Sequence, residues 1–112
     1  MESKKLGKIE SVSFGLGGYQ GCMLGLHVTL GDGNWGAKYS KAEWDAEQIE
    51  WSEFAKWSEE DRDGWYTDIM RYVSKLLKEA KVDSVDKLKG KPVEVTFDGN
   101  TLKEWRILTE VL

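Results

Sequence analysis

Apolar and polar positions alternate along the first third of the chain. Val12, Phe14 and Leu16 are spaced by Ser11 and Ser13, the period-2 pattern of a half-buried strand, which predicts a strand over residues 8–16. Gly15, Gly17, Gly18 and Gly21 then break the pattern. It resumes over residues 22–30, with Leu24, Leu26, Val28 and Leu30 on one face and Met23, Gly25, His27 and Thr29 on the other. Two such runs around a glycine-rich loop predict an antiparallel hairpin. Gly31, Asp32, Gly33 and Asn34 are dense turn chemistry, and a short third strand is expected from Trp35 to Tyr39.

The period then changes. Ser40 and Glu43 have capping-box spacing, which predicts a short helix over residues 41–50, whereas 51–57 fit no element. Ser58 and Asp61 mark a second helix start. Trp65, Ile69, Tyr72, Val73, Leu76, Leu77 and Ala80 follow at helical spacing, predicting a helix over 58–81 that is roughly 36 Å long. Residues 82–90 read as a connector with one helical turn at 84–88. Val93, Val95 and Phe97 alternate with Glu94 and Thr96, and Asp98, Gly99 and Asn100 form a strong hairpin-turn signal. The last strand, over 101–109, places Trp105 and Ile107 on one face. Pro92 falls at a strand start, where its missing N–H is tolerated. The order β-β-β-α-β-β, with an apolar helix stripe to cover the sheet, predicts an α+β fold: an antiparallel sheet of about five strands packed against one long helix, in a single domain over residues 1–112.

A chain of 112 residues buries roughly two-thirds of its unfolded surface, enough for one core without disulfides. The single cysteine, Cys22, excludes an intrachain disulfide and suits a reducing compartment. No run approaches the roughly 18 to 20 apolar residues of a membrane span, and no apolar stretch follows the charged residues 1–5. The expectation is a cytoplasmic protein with no membrane partner. A net charge of −4 argues against direct nucleic-acid binding, which draws on a basic face.

That charge is segregated. Residues 41–68 hold ten acids against three bases, a balance of −7, which leaves +3 for the rest of a chain whose total is −4. Glu59, Glu60, Asp61 and Asp63 at the start of the long helix, with Arg71, Lys75, Lys78 and Lys81 toward its end, suit the helix dipole. The acids from Glu43 to Glu53 have no such account. The same segment carries Trp44, Trp51, Phe54, Trp57 and Trp65. Aromatic anchors among carboxylates suit an interface with a basic partner; the same tryptophans also suit packing beneath an irregular segment. The interface reading names Trp44, Glu47, Glu50, Trp51, Glu53 and Trp57 as partner-binding residues.

Candidate chemistry is thin. The glycine-rich loop lacks the third glycine of a dinucleotide fingerprint, because position 20 is Gln20. It also lacks the Lys and Ser or Thr of a P-loop, and it leads into a strand. It reads as a hairpin loop, or alternatively as a small-ligand loop with Tyr19, Gln20 and Trp35 as contacts. His27 is the one histidine; no nucleophile motif accompanies it and one Cys with one His cannot make a zinc site, so its expected role is structural or at the surface. Asp32 and Asn34 lack the ligand spacing of a calcium loop. No metal site and no cofactor is expected, and nothing marks the chain as an enzyme.

Residues 90–112, GKPVEVTFDGNTLKEWRILTEVL, resemble the ending of small uncharacterised proteins encoded in tailed-phage and prophage genomes. Residues 14–20, FGLGGYQ, with Leu24, Gly25, Leu26, Trp35 and Gly36, are similar to the other half of that pattern. The resemblance covers somewhat under half the chain and carries no catalytic residues. It implies a phage or prophage accessory protein in the bacterial cytoplasm. The leading expectation is non-enzymatic binding to a host protein with a basic surface, for example in counter-defence. The alternatives are a protein that binds and sequesters a small ligand or nucleotide, and a minor phage structural or assembly protein. Exposed sheet edges admit a homodimer in each case.

Overall fold

The computed structural model describes residues 1–18, 21–44 and 59–112, with the backbone alone for Trp44 and Glu59. Five strands form one antiparallel sheet: β1 (Glu2–Gly17), β2 (Met23–Gly31), β3 (Gly36–Trp44), β4 (Pro92–Asp98) and β5 (Thr101–Ile107). Helix α1 (Glu59–Ala80) lies between β3 and β4 in the chain, and a 3₁₀ turn at Val85–Leu88 leads out of it. The strand order is β3-β2-β1-β4-β5. The expected α+β fold, with its five strands and one long helix, is what the chain adopts.

The central strand serves two hairpins. The second half of β1 pairs with β2, from Ile9 opposite Leu30 to Gly17 opposite Met23. Its first half pairs with β4, from Glu2 opposite Asp98 to Lys8 opposite Pro92. Between the halves the register with β2 slips, so that Glu10 is an extra residue between Ile9 and Ser11. A bulge of this kind bends the strand and raises its twist. It also explains why Ile9 and Val12, three apart in the chain, face the same side.

The sheet curls into a half-barrel. A flat sheet would hold β3 and β5 about 19 Å apart, at four spacings of roughly 4.8 Å. Instead Tyr39 of β3 meets Trp105 of β5 edge-to-face, with ring centroids 5.8 Å apart, and Tyr39 also meets Tyr72 of α1 at 6.0 Å. Glycine makes the inner curve close. A Cβ at Gly7 would stand 2.8 Å from Cζ2 of Trp35 and 2.5 Å from the Gly31 carbonyl oxygen. Its absence lets the Trp35 ring reach across β1 to Phe97, centroids 5.6 Å apart. The Lys5 ammonium sits over both rings, 5.9 Å and 5.6 Å from their centroids.

The core fills the inner side: Ile9, Leu26, Val28, Leu30, Val93, Val95 and Ile107 from the sheet, Ile69, Val73, Leu76 and Ala80 from α1, and Leu88 from the 3₁₀ turn. Tyr66 packs against this cluster, and Arg62 on the same helical stripe is buried with its guanidinium donating to the Tyr66 hydroxyl at 3.4 Å. The stripe thus runs 62, 66, 69, 73, 76, 80. Trp65, expected on it, is partly buried like Tyr66, but it is Tyr66 that packs against the core cluster.

Two expectations for the middle of the chain are corrected. The third strand does not end at Tyr39, and no helix begins at residue 41: Lys41, Ala42, Glu43 and Trp44 pair with Leu26, Gly25, Leu24 and Met23. A capping box satisfies a few backbone donors locally, whereas the hairpin pairs donors and acceptors along its whole length, and the hairpin prevails. The rest of that expected helix, 45–50, and the unassigned stretch 51–57 lie outside the described residues. The final strand ends at Ile107 rather than 109, followed by a 3₁₀ turn at Thr109–Val111. At the other end β1 begins at Glu2 rather than residue 8.

Candidate functional site

The curl gives the sheet an inner face, covered by α1, and an outer face that carries no helix among the described residues. On the outer face the strand register builds a grid. Ser11 pairs with Thr29, which pairs with Lys38; one rung along, Ser13 pairs with His27, which pairs with Ser40. The next rung, Gly15, Gly25 and Ala42, carries almost no side chain. The residues of the first two rungs, with Gly17 and Gly18, line a groove of about 360 Å³.

His27 is held at three points. Ser40 Oγ lies 2.7 Å from Nδ1, and Nε2 lies 3.2 Å from the Gly15 carbonyl oxygen and 3.1 Å from that of Met23. A carbonyl only accepts, so Nε2 carries the proton and donates to both. In the neutral ring Nδ1 then accepts from the Ser40 hydroxyl. The ring lies down against β1 because Gly17 leaves it room: a Cβ there would stand 3.0 Å from its Cδ2. The histidine is therefore a fixed surface group, in keeping with its expected role, but it is not isolated. Its serine partner is 13 residues away and was hidden by the assignment of Ser40 to a helix cap. The signal that finds it is the turn: once Gly31 pairs with Gly36, the register places Ser40 opposite His27.

The other half of the outer face is charged and internally paired. Arg106 donates to Glu94 at 3.2 Å and, through both terminal nitrogens, to Glu110 at 3.0 Å. Those bonds hold the Glu110 carboxyl below the ordinary glutamate range and raise the guanidinium. Lys103 donates to Glu2 at 2.6 Å, with the same lowering of Glu2.

A second cleft, of about 470 Å³, opens between α1 and β5, lined by Tyr72, Lys75, Glu79, Trp105 and Arg106 among others. Burial, with Tyr39 beside it, pushes the Tyr72 phenol well up. Lys75 lies 3.7 Å from Glu79, and Arg106 is bound as above, so its cations are already engaged by carboxylates. The indole nitrogen of Trp105 is buried and has no oxygen partner among the described residues.

Among the described residues the inner face has an uncovered end. Phe14 and Leu16 point to the core side, on the rungs of Leu26 and Leu24, yet remain 47% and 52% exposed. The same two rungs continue into Lys41 and Glu43 of β3, the strand that ends at Trp44.

Of the residues singled out from sequence, Trp44 closes β3 opposite Met23. Glu47, Glu50, Trp51, Glu53, Trp57, Tyr19 and Gln20 lie outside the described residues. Trp35 is half-buried against Phe97 beyond the Gly31 end of β2, whereas the turn through Gly18 and Gly21 is at the Met23 end. Nine residues of strand separate those ends by roughly 26 Å. Trp35 thus serves the core rather than a site at the glycine-rich loop.

Compared with protein-family models, curated proteins and solved structures, the chain gave no match. Its class rests on the fold itself, α+β with a curled five-stranded sheet. Among the described residues no helix is long and apolar enough to cross a membrane.

Proposed function

We propose that the protein acts by non-enzymatic binding to another protein, one that presents a basic surface. The observation that carries this reading is the uncovered end of the inner face. Phe14 and Leu16 are half-exposed on the rungs that lead through β3 toward residues 41–68, where ten acids outnumber three bases and six large aromatics are interspersed. Apolar area of this kind supplies affinity, and a one-signed field supplies steering and partner choice. On this reading the partner is a bacterial host protein and the role is counter-defence, as the phage-like resemblance read from residues 90–112 would imply.

The residues proposed for the contact are Trp44, Glu47, Glu50, Trp51, Glu53 and Trp57, together with the half-exposed Phe14 and Leu16. Affinity capture of the tagged chain from infected and uninfected bacterial lysates tests the reading. A single stoichiometric protein is expected, lost from Trp51→Ala while the circular-dichroism melt of that variant is unchanged. An empty capture from both lysates overturns the reading, and a Trp51→Ala chain that melts early makes Trp51 part of the fold instead.

A further inference from the structure

We propose that the outer-face groove is a binding site for the phosphate group of a small soluble molecule. The inference is independent of the protein-binding reading, which concerns the inner face. Three hydroxyls, from Ser11, Ser13 and Thr29, and the Lys38 ammonium converge on it from three strands, while the Ser40 hydroxyl is committed to His27. Hydroxyls and ammonium are the donors that a tetrahedral oxyanion uses, and a lysine acts toward phosphate as a point charge.

Among the described residues the lining contains no carboxylate, in a chain with 20 acids. On the paired half of the same face Lys4, Lys103 and Arg106 each have an acid within 4 Å, at 3.9, 2.6 and 3.2 Å, whereas Lys38 has none among the described residues. The nearest acid along the strand, Glu10 at the bulge, turns its carboxylate over Gly31. That is the rung of Lys8, one step beyond the groove.

A merely solvated sheet face accounts for serines and a lysine, but not for the fixed histidine. The imidazole is clamped by Ser40 and two carbonyls in space that Gly17 leaves open. A wall set in advance, with its rotamer locked, lowers the ordering cost of binding. An oxyanion seated between the two rungs meets Lys38 of β3 on one side and Ser11 and Ser13 of β1 on the other, with Thr29 beneath and the clamped His27–Ser40 pair as the wall.

Because His27 is the one histidine, its ring resonances report on the groove alone. Inorganic phosphate is titrated into the full chain at constant ionic strength, against chloride, with the imidazole followed by ¹H–¹⁵N NMR. The expected result is a saturable shift of the His27 ring that chloride does not produce, with affinity about tenfold weaker in Lys38→Ala, the loss of one charged contact. Lys38 is exposed on an edge strand, and Ser13→Ala, which keeps every charge, is expected to weaken binding as well. No shift beyond the chloride control, or an equal shift in both variants, overturns the site. A response to phosphatidate vesicles but not to free phosphate overturns the soluble ligand.

Discussion

Single residues carry the tightest constraints in this protein. Gly7 is the clearest, since the Trp35 ring and the Gly31 backbone both occupy the space a Cβ would need. Gly7→Ala is expected to cost about 1–3 kcal/mol, the usual range for overpacking a dense interior, read as a lower urea midpoint with an unchanged slope. Gly64 is the opposite case. It lies in α1 and is exposed, and a Cβ added to it would meet nothing within 4 Å. Gly64→Ala is expected to raise stability by about 0.5–1 kcal/mol, because alanine loses less backbone freedom on entering a helix. A destabilised Gly64→Ala chain would contradict the position of that residue on the solvent side of α1. His27 belongs to this scale too. Its three hydrogen bonds explain why a lone histidine sits on a strand without metal-ligating neighbours in sequence.

At the scale of elements, what the sequence made legible depended on which force sets each boundary. Strand β2 and hairpin β4–β5 were readable because apolar burial on one face drives both, and the turn at Gly99, with φ of 62°, sits where Asp-Gly-Asn indicated. The first residues of β1 were not readable. Glu2, Ser3, Lys4 and Lys5 carry no apolar alternation, and what holds them is pairing with β4, together with Lys5 resting on two aromatic rings. The extension of β3 was masked by a local capping signal at Ser40 and Glu43, and with it went the His27–Ser40 pair. In α1 both period and phase were legible from Ile69 to Ala80; the difference is at the first turns, where Tyr66 rather than Trp65 packs against the core and its hydroxyl receives the Arg62 guanidinium. The candidate site was less legible than the fold, because it depends on the register between strands distant in sequence.

Across the whole molecule, exposed ion pairs tie residues near both ends of the chain and in the turn between α1 and β4. Glu2 to Lys103, Asp83 to Lys87 and Glu110 to Arg106 each lower the carboxyl, chiefly through the side-chain hydrogen bond. A carboxyl lowered in the folded state contributes stability above its unfolded value and loses it as the pH falls through the folded one. The ordinary values are 4.5 for Glu and 3.8 for Asp. The melting temperature is therefore expected to decline below about pH 4.5, and more shallowly in Glu2→Gln, whose link from β1 to β5 is already neutral. Thermal melts across that range check both the sign and the share of Glu2.

The half-barrel has two faces, each with its own proposed role: an inner face whose open end carries Phe14 and Leu16, and an outer face with the His27 groove. The central claim is that the inner end joins the acidic, tryptophan-rich stretch in gripping a basic partner protein. Its most direct test is quantitative capture from bacterial lysate by the wild-type chain and by the double variant Phe14→Ser, Leu16→Ser, at low and high salt. The account expects one partner, bound less at high salt and lost from the variant, whose melt is little changed because both side chains are half-exposed already. Capture that is indifferent to both the variant and the salt, or no partner at all, would contradict it.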